Sequence, residues 1–453
     1  MKRRTFLSSG SAIGLSFLGL QKYLGAAPAS RVIEPFGPLL KDPGKLLDLP
    51  KGFSYQVISK AGQPMEGGLK VPAKPDGMAA FPGTEGRIIL IRNHELALGA
   101  FKKGPFDGIF LPLEMDRALF YDAGEHNETP QLGGTTTLVY DPKKRKVVRE
   151  FLSLAGTDRN CAGGAMPWGS WITCEEPEDL LTDRGRKHGY CFEVKATEDG
   201  VLQKAEPLKG LGRFRHEAVA LDPRDGAVYV TEDMNDGLLY RFTPDKKGEL
   251  RAGRLQALAV KDRPGMDLRN YAPGPDTVAE GEDLEVEWID LDEIDSPNDD
   301  LRLRGFKAGA ARFARAEGII FTDGQLYLCC TDGGPKRQGQ LFRLKPDSKG
   351  DRLELFIQPR KSDLLTNGDN LCAAPWGDLV ICEDLINEHS AKTPHLRGIT
   401  PDGRIYTLAK NAGGKGEFAG SCFSPDGSIL FVNLQSSGHT LAITGPWENR
   451  QSS

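Results

Sequence analysis

Short apolar runs recur along this chain, separated by Gly, Pro, Asp and Asn, and they come in pairs. The clearest pair spans Arg213 to Asp233, RFRHEAVALDPRDGAVYVTED. HEAVAL reads as a strand, DPRDG as a turn and AVYVTED as the returning strand of a β-hairpin. Folding back sets the outer ends side by side, so His216 and Glu217 are expected beside Glu232 and Asp233. Four ionisable groups crowded at one hairpin end are costly unless something pairs with them.

Nearly the same device occurs six times. The other copies are DGMAAFPGTEGRIILIRNHE (Asp76 to Glu95), NCAGGAMPWGSWITCEE (Asn160 to Glu176), RAEGIIFTDGQLYLCCTD (Arg315 to Asp332), GDNLCAAPWGDLVICED (Gly368 to Asp384) and GSCFSPDGSILFVNLQ (Gly420 to Gln435). Two of them share PWG, an apolar run and Cys-Glu-acid. Further strands are expected at Phe53 to Ile58 and Leu238 to Phe242, with a hairpin over Gly133 to Leu154. Weakly periodic stretches at about 96–132 and 261–307 read as inserted loops, the second carrying a strand in VEWIDLDEID. Self-similar hairpins, each followed by one or two strands, predict an all-β, six-bladed β-propeller over residues 30–453. Both ends of every innermost hairpin would then open on one face of a central channel.

The remaining features narrow the setting. Residues 1–29 hold a basic start (Lys2, Arg3, Arg4), an apolar stretch from Ala12 to Leu20 and the small-residue site Ala27-Pro28-Ala29, the pattern of a signal peptide. RRTFL resembles the twin-arginine export signal, so the export machinery is an expected partner and the location is periplasmic or secreted. Losing this segment takes the net charge from −5 to about −9, which argues against nucleic-acid binding. No apolar run in the mature part is long enough to span a membrane, so no stable insertion is expected after cleavage, and the protein is expected to be a monomer. The eight cysteines sit mostly in apolar runs and read as buried thiols.

Set in one ring, the incoming hairpin ends offer Asp76, Asn160, Cys161, His216, Glu217, Arg315, Glu317, Asp369 and Asn370. The outgoing ends offer Asn93, His94, Glu95, Glu175, Glu176, Glu232, Asp233, Asp332, Glu383, Asp384 and Asn433. Two unit charges 4 Å apart repel by roughly 4 kcal/mol at an effective dielectric of about 20. A ring so rich in acids, with few local cations, therefore calls for protonation or for bound multivalent ions. Asp, Glu and Asn oxygens suit Ca²⁺; a thiolate among carboxylates suits a transition metal such as iron. Any one of these acids could be a simple turn former, and the recurrence in register is what carries the reading. Arg315, two residues before Glu317, should point to the same side of its strand and could clamp an anion such as phosphate.

These segments, with NHE, GGTTTLVYDP and the tail FAGSCFSPDGSILFVNLQSSGHTLAITGPW, closely resemble the PhoX-type alkaline phosphatases over roughly Phe53 to Trp447. The resemblance implies a six-bladed propeller, twin-arginine export and hydrolysis of small-molecule phosphate monoesters at a metal cluster of two oxo-bridged ferric ions with calcium ions. It implies that Cys161 is an iron ligand, and that Glu175, Glu176, Glu217, Glu317, Asp369 and Glu383 bind metal. Asn93 and Glu95 would lie on the calcium or substrate side, and Arg315 would hold the phosphate. The expected catalytic set is then Arg315, Cys161 and Glu317. There is no GxSxG elbow, and clustered metals make a serine nucleophile unnecessary. Two other readings share the architecture: a calcium-dependent lactonase or phosphotriesterase-like hydrolase, and a non-catalytic binding propeller stabilised by calcium.

Overall fold

The computed structural model describes residues 31–450 except 107, 109–110, 113, 125–128, 182–185, 360–364, 385–392 and 415. The expected signal peptide lies outside the described residues. The chain begins with β1 (Leu39–Leu40), β2 (Leu47–Pro50) and β3 (Ser54–Lys60). β4 (Pro75–Pro82), β5 (Ile88–His94), β6 (Gly133–Asp141) and β7 (Lys146–Thr157) form a four-stranded antiparallel sheet. β8 (Asn160–Met166), β9 (Ser170–Glu175) and β10 (Cys191–Lys195) form a three-stranded one. Then come β11 (His216–Leu221), β12 (Val228–Glu232), β13 (Leu239–Pro244), β14 (Gly253–Val260) and β15 (Asp283–Asp290), followed by the helix α1 (Leu301–Lys307). β16 (Ala316–Thr322), β17 (Gln325–Cys330), β18 (Gln340–Lys345) and β19 (Asp351–Ile357) follow. β20 (Gly368–Ala373), β21 (Leu379–Glu383), β22 (His395–Ile399) and β23 (Ile405–Asn411) are joined at their edge by β2 and β1. β24 (Phe418–Phe423), β25 (Leu430–Leu434) and β26 (His439–Thr444) take β3 as a fourth strand.

The result is an all-β fold with a propeller-like arrangement of sheets. The first strands of the six hairpins touch in a closed cycle, β4 to β8, β11, β16, β20, β24 and back to β4. Six blades predict six separate sheets, and hydrogen bonding gives five. β15, which the sequence marks only as a strand within an insertion, pairs with β14 on one side and with β19 on the other, so two sheets merge into one of nine strands. The insertion at 96–132 packs Leu96, Phe106, Phe120 and Leu132 into a hydrophobic cluster shared with Met65, Leu69, Val71 and Leu152. All eight cysteines are unbridged and buried. No helix among the described residues is long and apolar enough to cross a membrane.

One local feature repeats and sets up the site. Each hairpin pairs at its open end and then slips: between Pro75 and Met78, Asn160 and Gly163, His216 and Val219, Ala316 and Ile319, Gly368 and Leu371, and Ala419 and Cys422. A bulge of this kind bends the strand and re-aims side chains. In five of the six hairpins the first skipped residue is chemically potent: Asp76, Cys161, Glu217, Glu317 or Asp369.

Candidate active site

Those five residues lie on the floor of a cavity of about 790 Å³. Around them stand Glu95, Glu176, Asp233, Asp384 and Glu417, with Lys74, Arg159, Arg215, Arg315 and Gln435. Two successive residues of the return strands divide the work. The first is in register with the incoming strand, as Glu175 is with Asn160, Glu232 with His216 and Glu383 with Gly368, and it turns back into its own sheet. The second, Glu95, Glu176, Asp233, Asp384 or Gln435, faces the cavity. Its amide donates to the backbone carbonyl of Lys74, Arg159, Arg215, Asn367 or Glu417 respectively, at 2.8–3.2 Å. Lys74, Arg159, Arg315 and Asn367 adopt φ of +47° to +51°, unusual for residues with side chains and typical of functional positions.

The sequence-predicted residues therefore separate. Cys161, Glu95, Glu176, Glu217, Glu317, Asp369 and Arg315 meet at the cavity. Asn93, Glu175 and Glu383 do not line it. The Asn93 amide donates to the Cys161 and Ala162 carbonyls, and its oxygen accepts from Trp171 and Thr173. Glu175 accepts from the Asp158, Gly189 and Tyr190 amides and pairs with His188 at 2.7 Å. That pairing, with Asp122, outweighs burial and raises His188 to about 10. Glu383 is held by Arg397 at 2.7 Å, by His395 and by the Thr366 amide. His216 and Glu232 likewise face inward; His216 stacks on Phe214, with burial lowering its pKa to about 4. The reason is alternation: adjacent strand residues point to opposite sides.

The expectation of few local cations is also corrected. Lys74, Arg159, Arg215 and Arg315 all reach the cavity, and Glu417 adds an acid outside the expected ring. The sequence carries a signal for the cations. Each stands two residues before the bulged residue, in Lys74-Pro-Asp76, Arg159-Asn-Cys161, Arg215-His-Glu217 and Arg315-Ala-Glu317. The spacing that marks Arg315 as a clamp is thus common to all four.

Nine carboxylates against four cations still leave the cavity with a surplus of acidic groups. Burial, and after it neighbouring acids, push Asp76, Glu217, Glu317, Asp369 and Glu417 well above the ordinary carboxylate range. Burial and Asp233 raise Glu176 to about 7, against the pull of Arg159 and Arg215. Burial raises the Cys161 thiol, and Glu217 adds to it. Three groups bring ligand atoms within 4.8 Å of one another: Cys161–Glu176–Glu217, Glu217–Glu317–Asp369 and Asp76–Glu95–Glu417. Glu217 belongs to two of them, so two ions could share it. The thiol-containing set suits a transition metal, and the two all-carboxylate sets suit hard cations, ferric iron as well as calcium.

A family model for alkaline phosphatase PhoX matches residues 34–146 and 122–438. No curated protein matches the chain. Among solved structures, Pseudomonas fluorescens PhoX in complex with vanadate, a transition state analogue, is 19% identical, with a TM-score of 0.67 over 88% of this chain and 96% of that one. XC5397 from Xanthomonas campestris, a gluconolactonase, is 13% identical, with a TM-score of 0.42 over 91% of this chain and 99% of that one.

Proposed function

Since the chain belongs to the alkaline phosphatase PhoX family, a family of phosphoric monoester hydrolases, we propose that it cleaves small-molecule phosphate monoesters in this cavity with the help of bound iron and calcium. The observation that carries the proposal is the sharing of Glu217 between the Cys161–Glu176 pair and the Glu317–Asp369 pair, next to Arg315. Iron is assigned to these two groups, and calcium to Asp76, Glu95 and Glu417. When bound, such ions supply Lewis-acid stabilisation of phosphoryl oxygens and activation of water.

The residues of the chain do the positioning. Arg315 is braced by Asp233 through Nε and Nη2, while its Nη1 stays 3.8 Å from Asp384. That nitrogen is the least committed and is placed to receive a phosphoryl oxygen. Such a donor acts where charge grows in the transition state. The Cys161 thiol, whose nearest acceptor is the His216 carbonyl at 3.2 Å, must lose its proton when it ligates. Its burial among acids makes that loss dependent on an ion arriving.

The nine-stranded sheet is read here as two blades bridged by β15, which makes six blades with the three-stranded sheet counted as one. Twin-arginine export to the periplasm as a monomer, after cleavage near residue 29, completes the proposal. The test is elemental analysis of protein purified from an exporting host, together with phosphate release from p-nitrophenyl phosphate. Activity lost on chelation and restored by iron with calcium supports the reading. Metal-loaded protein that releases no phosphate would sink it.

A further inference from the structure

Four successive hairpins place a cation at the same position, the one whose carbonyl receives the return strand's amide. Lys74, Arg159 and Arg215 accept from Glu95, Glu176 and Asp233, and Arg315 accepts from Thr331. The fifth and sixth hairpins carry Asn367 and Glu417 there, so the cations form an arc over one side of the mouth. They are also the outer layer. The side chains of Arg159, Arg215 and Arg315 are 19–25% exposed, while Glu95, Glu176 and Glu317 beneath them are 6–9% exposed.

The two middle members are tied together. Arg159 Nη2 donates to one oxygen of Glu176 at 3.0 Å, and Arg215 Nη2 pairs with the other oxygen. Arg215 and Arg315 flank one short segment, since Arg215 Nη1 reaches the Met234 sulfur and the Arg315 amide donates to the Met234 carbonyl. Arg159 and Arg215 each keep a buried Nε with no hydrogen-bond partner. Charged groups left in this state are costly. Glu176 holds both Arg159 and Arg215, and Glu95 also holds Arg159, whose Nη1 donates to the exposed Glu178 at 2.7 Å; Glu95 and Glu176 belong to the groups able to hold cations. A carboxylate that turns to a cation gives up its hold on a guanidinium, which then needs another anion.

Resting on the phosphatase reading, we propose that Arg159 and Arg215 form a second oxyanion subsite beside Arg315, which takes a second phosphoryl group of the substrate. The favoured substrates are then bisphosphorylated compounds. Arg315 serves the phosphoryl group being cleaved, and Arg159 with Arg215 orients the other. Forked guanidinia suit phosphoryl oxygens, whereas a lysine offers a point charge.

The experiment compares fructose 1,6-bisphosphate with fructose 6-phosphate on the metal-loaded enzyme, in wild type and in Arg159→Gln, Arg215→Gln and Arg215→Lys. For wild type the bisphosphate is expected to have the higher kcat/KM by about tenfold, mainly through a lower KM. Each variant is expected to lose most of that preference, Arg215→Lys included. A separate readout is calorimetric binding of inorganic pyrophosphate against inorganic phosphate, with circular dichroism to confirm folding. Wild type should favour pyrophosphate, and the variants should not. Equal kcat/KM for both sugars in wild type, or a preference that survives in every variant, overturns the subsite and leaves the phosphatase reading intact. If neither ester is hydrolysed, the pyrophosphate-to-phosphate affinity ratio decides the subsite, and p-nitrophenyl phosphate hydrolysis decides the phosphatase reading.

Discussion

Arg315 is forked onto Asp233, with Nε donating to Oδ1 at 2.8 Å and Nη2 to Oδ2 at 3.0 Å, and Nη2 also reaches Glu317 at 2.5 Å. The guanidinium is thus fixed by acids from two hairpins before any substrate arrives. A lysine carries all its donors on one nitrogen, so it cannot grip Asp233 with a fork while a second nitrogen faces the substrate. Arg315→Lys should lower kcat/KM for p-nitrophenyl phosphate by about 10²-fold or more, the scale seen when one transition-state donor is lost. Steady-state kinetics on protein of unchanged metal content checks this.

The acid cluster predicts opposite pH trends with and without ions. Asp76, Glu217, Glu317, Asp369 and Glu417 have folded-state pKa values well above the ordinary range, and Glu176 is raised to about 7. Between the unfolded value near 4 and these raised values the folded state holds more protons than the unfolded one, so stability falls as pH rises. Chelated protein should therefore melt lower at pH 8 than at pH 5, by about 5 °C or more. Metal-loaded protein should show the reverse trend, because ligands must be deprotonated to bind. Melting curves across this range, with chelator and with added iron and calcium, test both arms.

Much of this architecture is legible in the amino-acid sequence, and the parts that are not have physical reasons. The pairing of HEAVAL with AVYVTED follows from apolar pattern and turn chemistry alone. Which member of an acidic pair enters the cavity does not. In Glu175-Glu176 and Glu383-Asp384 the answer depends on register, and a shift of one residue reverses it. The bulges that aim Glu217 and Glu317 arise between strands and leave no mark on either one. The joining of β15 to β19 matches Asp283 with Glu354, residues far apart in sequence. Lys74, Arg159 and Arg215 are visible as residues, but their common spacing has meaning only once the bulge that follows each of them is known.

Glu383 and Glu317 are both buried acids near hairpin ends, yet opposite outcomes are expected on removing them. Glu383 neutralises Arg397 inside its sheet. Glu383→Ala leaves that buried guanidinium with its Thr407 hydrogen bond but no carboxylate, which costs about 3–5 kcal/mol, while the folded protein should keep its metal content. Glu317→Gln removes a carboxylate from a crowded site. Chelated protein should become more stable, but the variant should bind less iron and lose about 10²-fold or more in kcat. Elemental analysis beside denaturant unfolding separates the two. A Glu383→Ala protein that folds normally but lacks iron would return that residue to the ligand set.

Spacing between neighbouring hairpins sets the distance between ligands, and Gly318 controls one such spacing. A Cβ there would stand 2.4 Å from the Asp369 carbonyl oxygen, 2.7 Å from Leu371 Cδ2 and 2.9 Å from Asn370 Cα. Two of these three atoms are backbone and cannot rotate away. Gly318→Ala must push β16 from β20, and with it Glu317 from Asp369, which share a candidate cation group. The cost should be about 1–3 kcal/mol of stability, as for other overpacked sites, together with weaker iron retention. Gly324→Ala is the control. Gly324 sits in the turn of the same hairpin at φ +75°, with nothing within 4 Å of the position a Cβ would take. An alanine there should cost about 1 kcal/mol through backbone strain and leave iron content alone. If both variants retain iron equally, the close contact between these strands does not set the metal geometry.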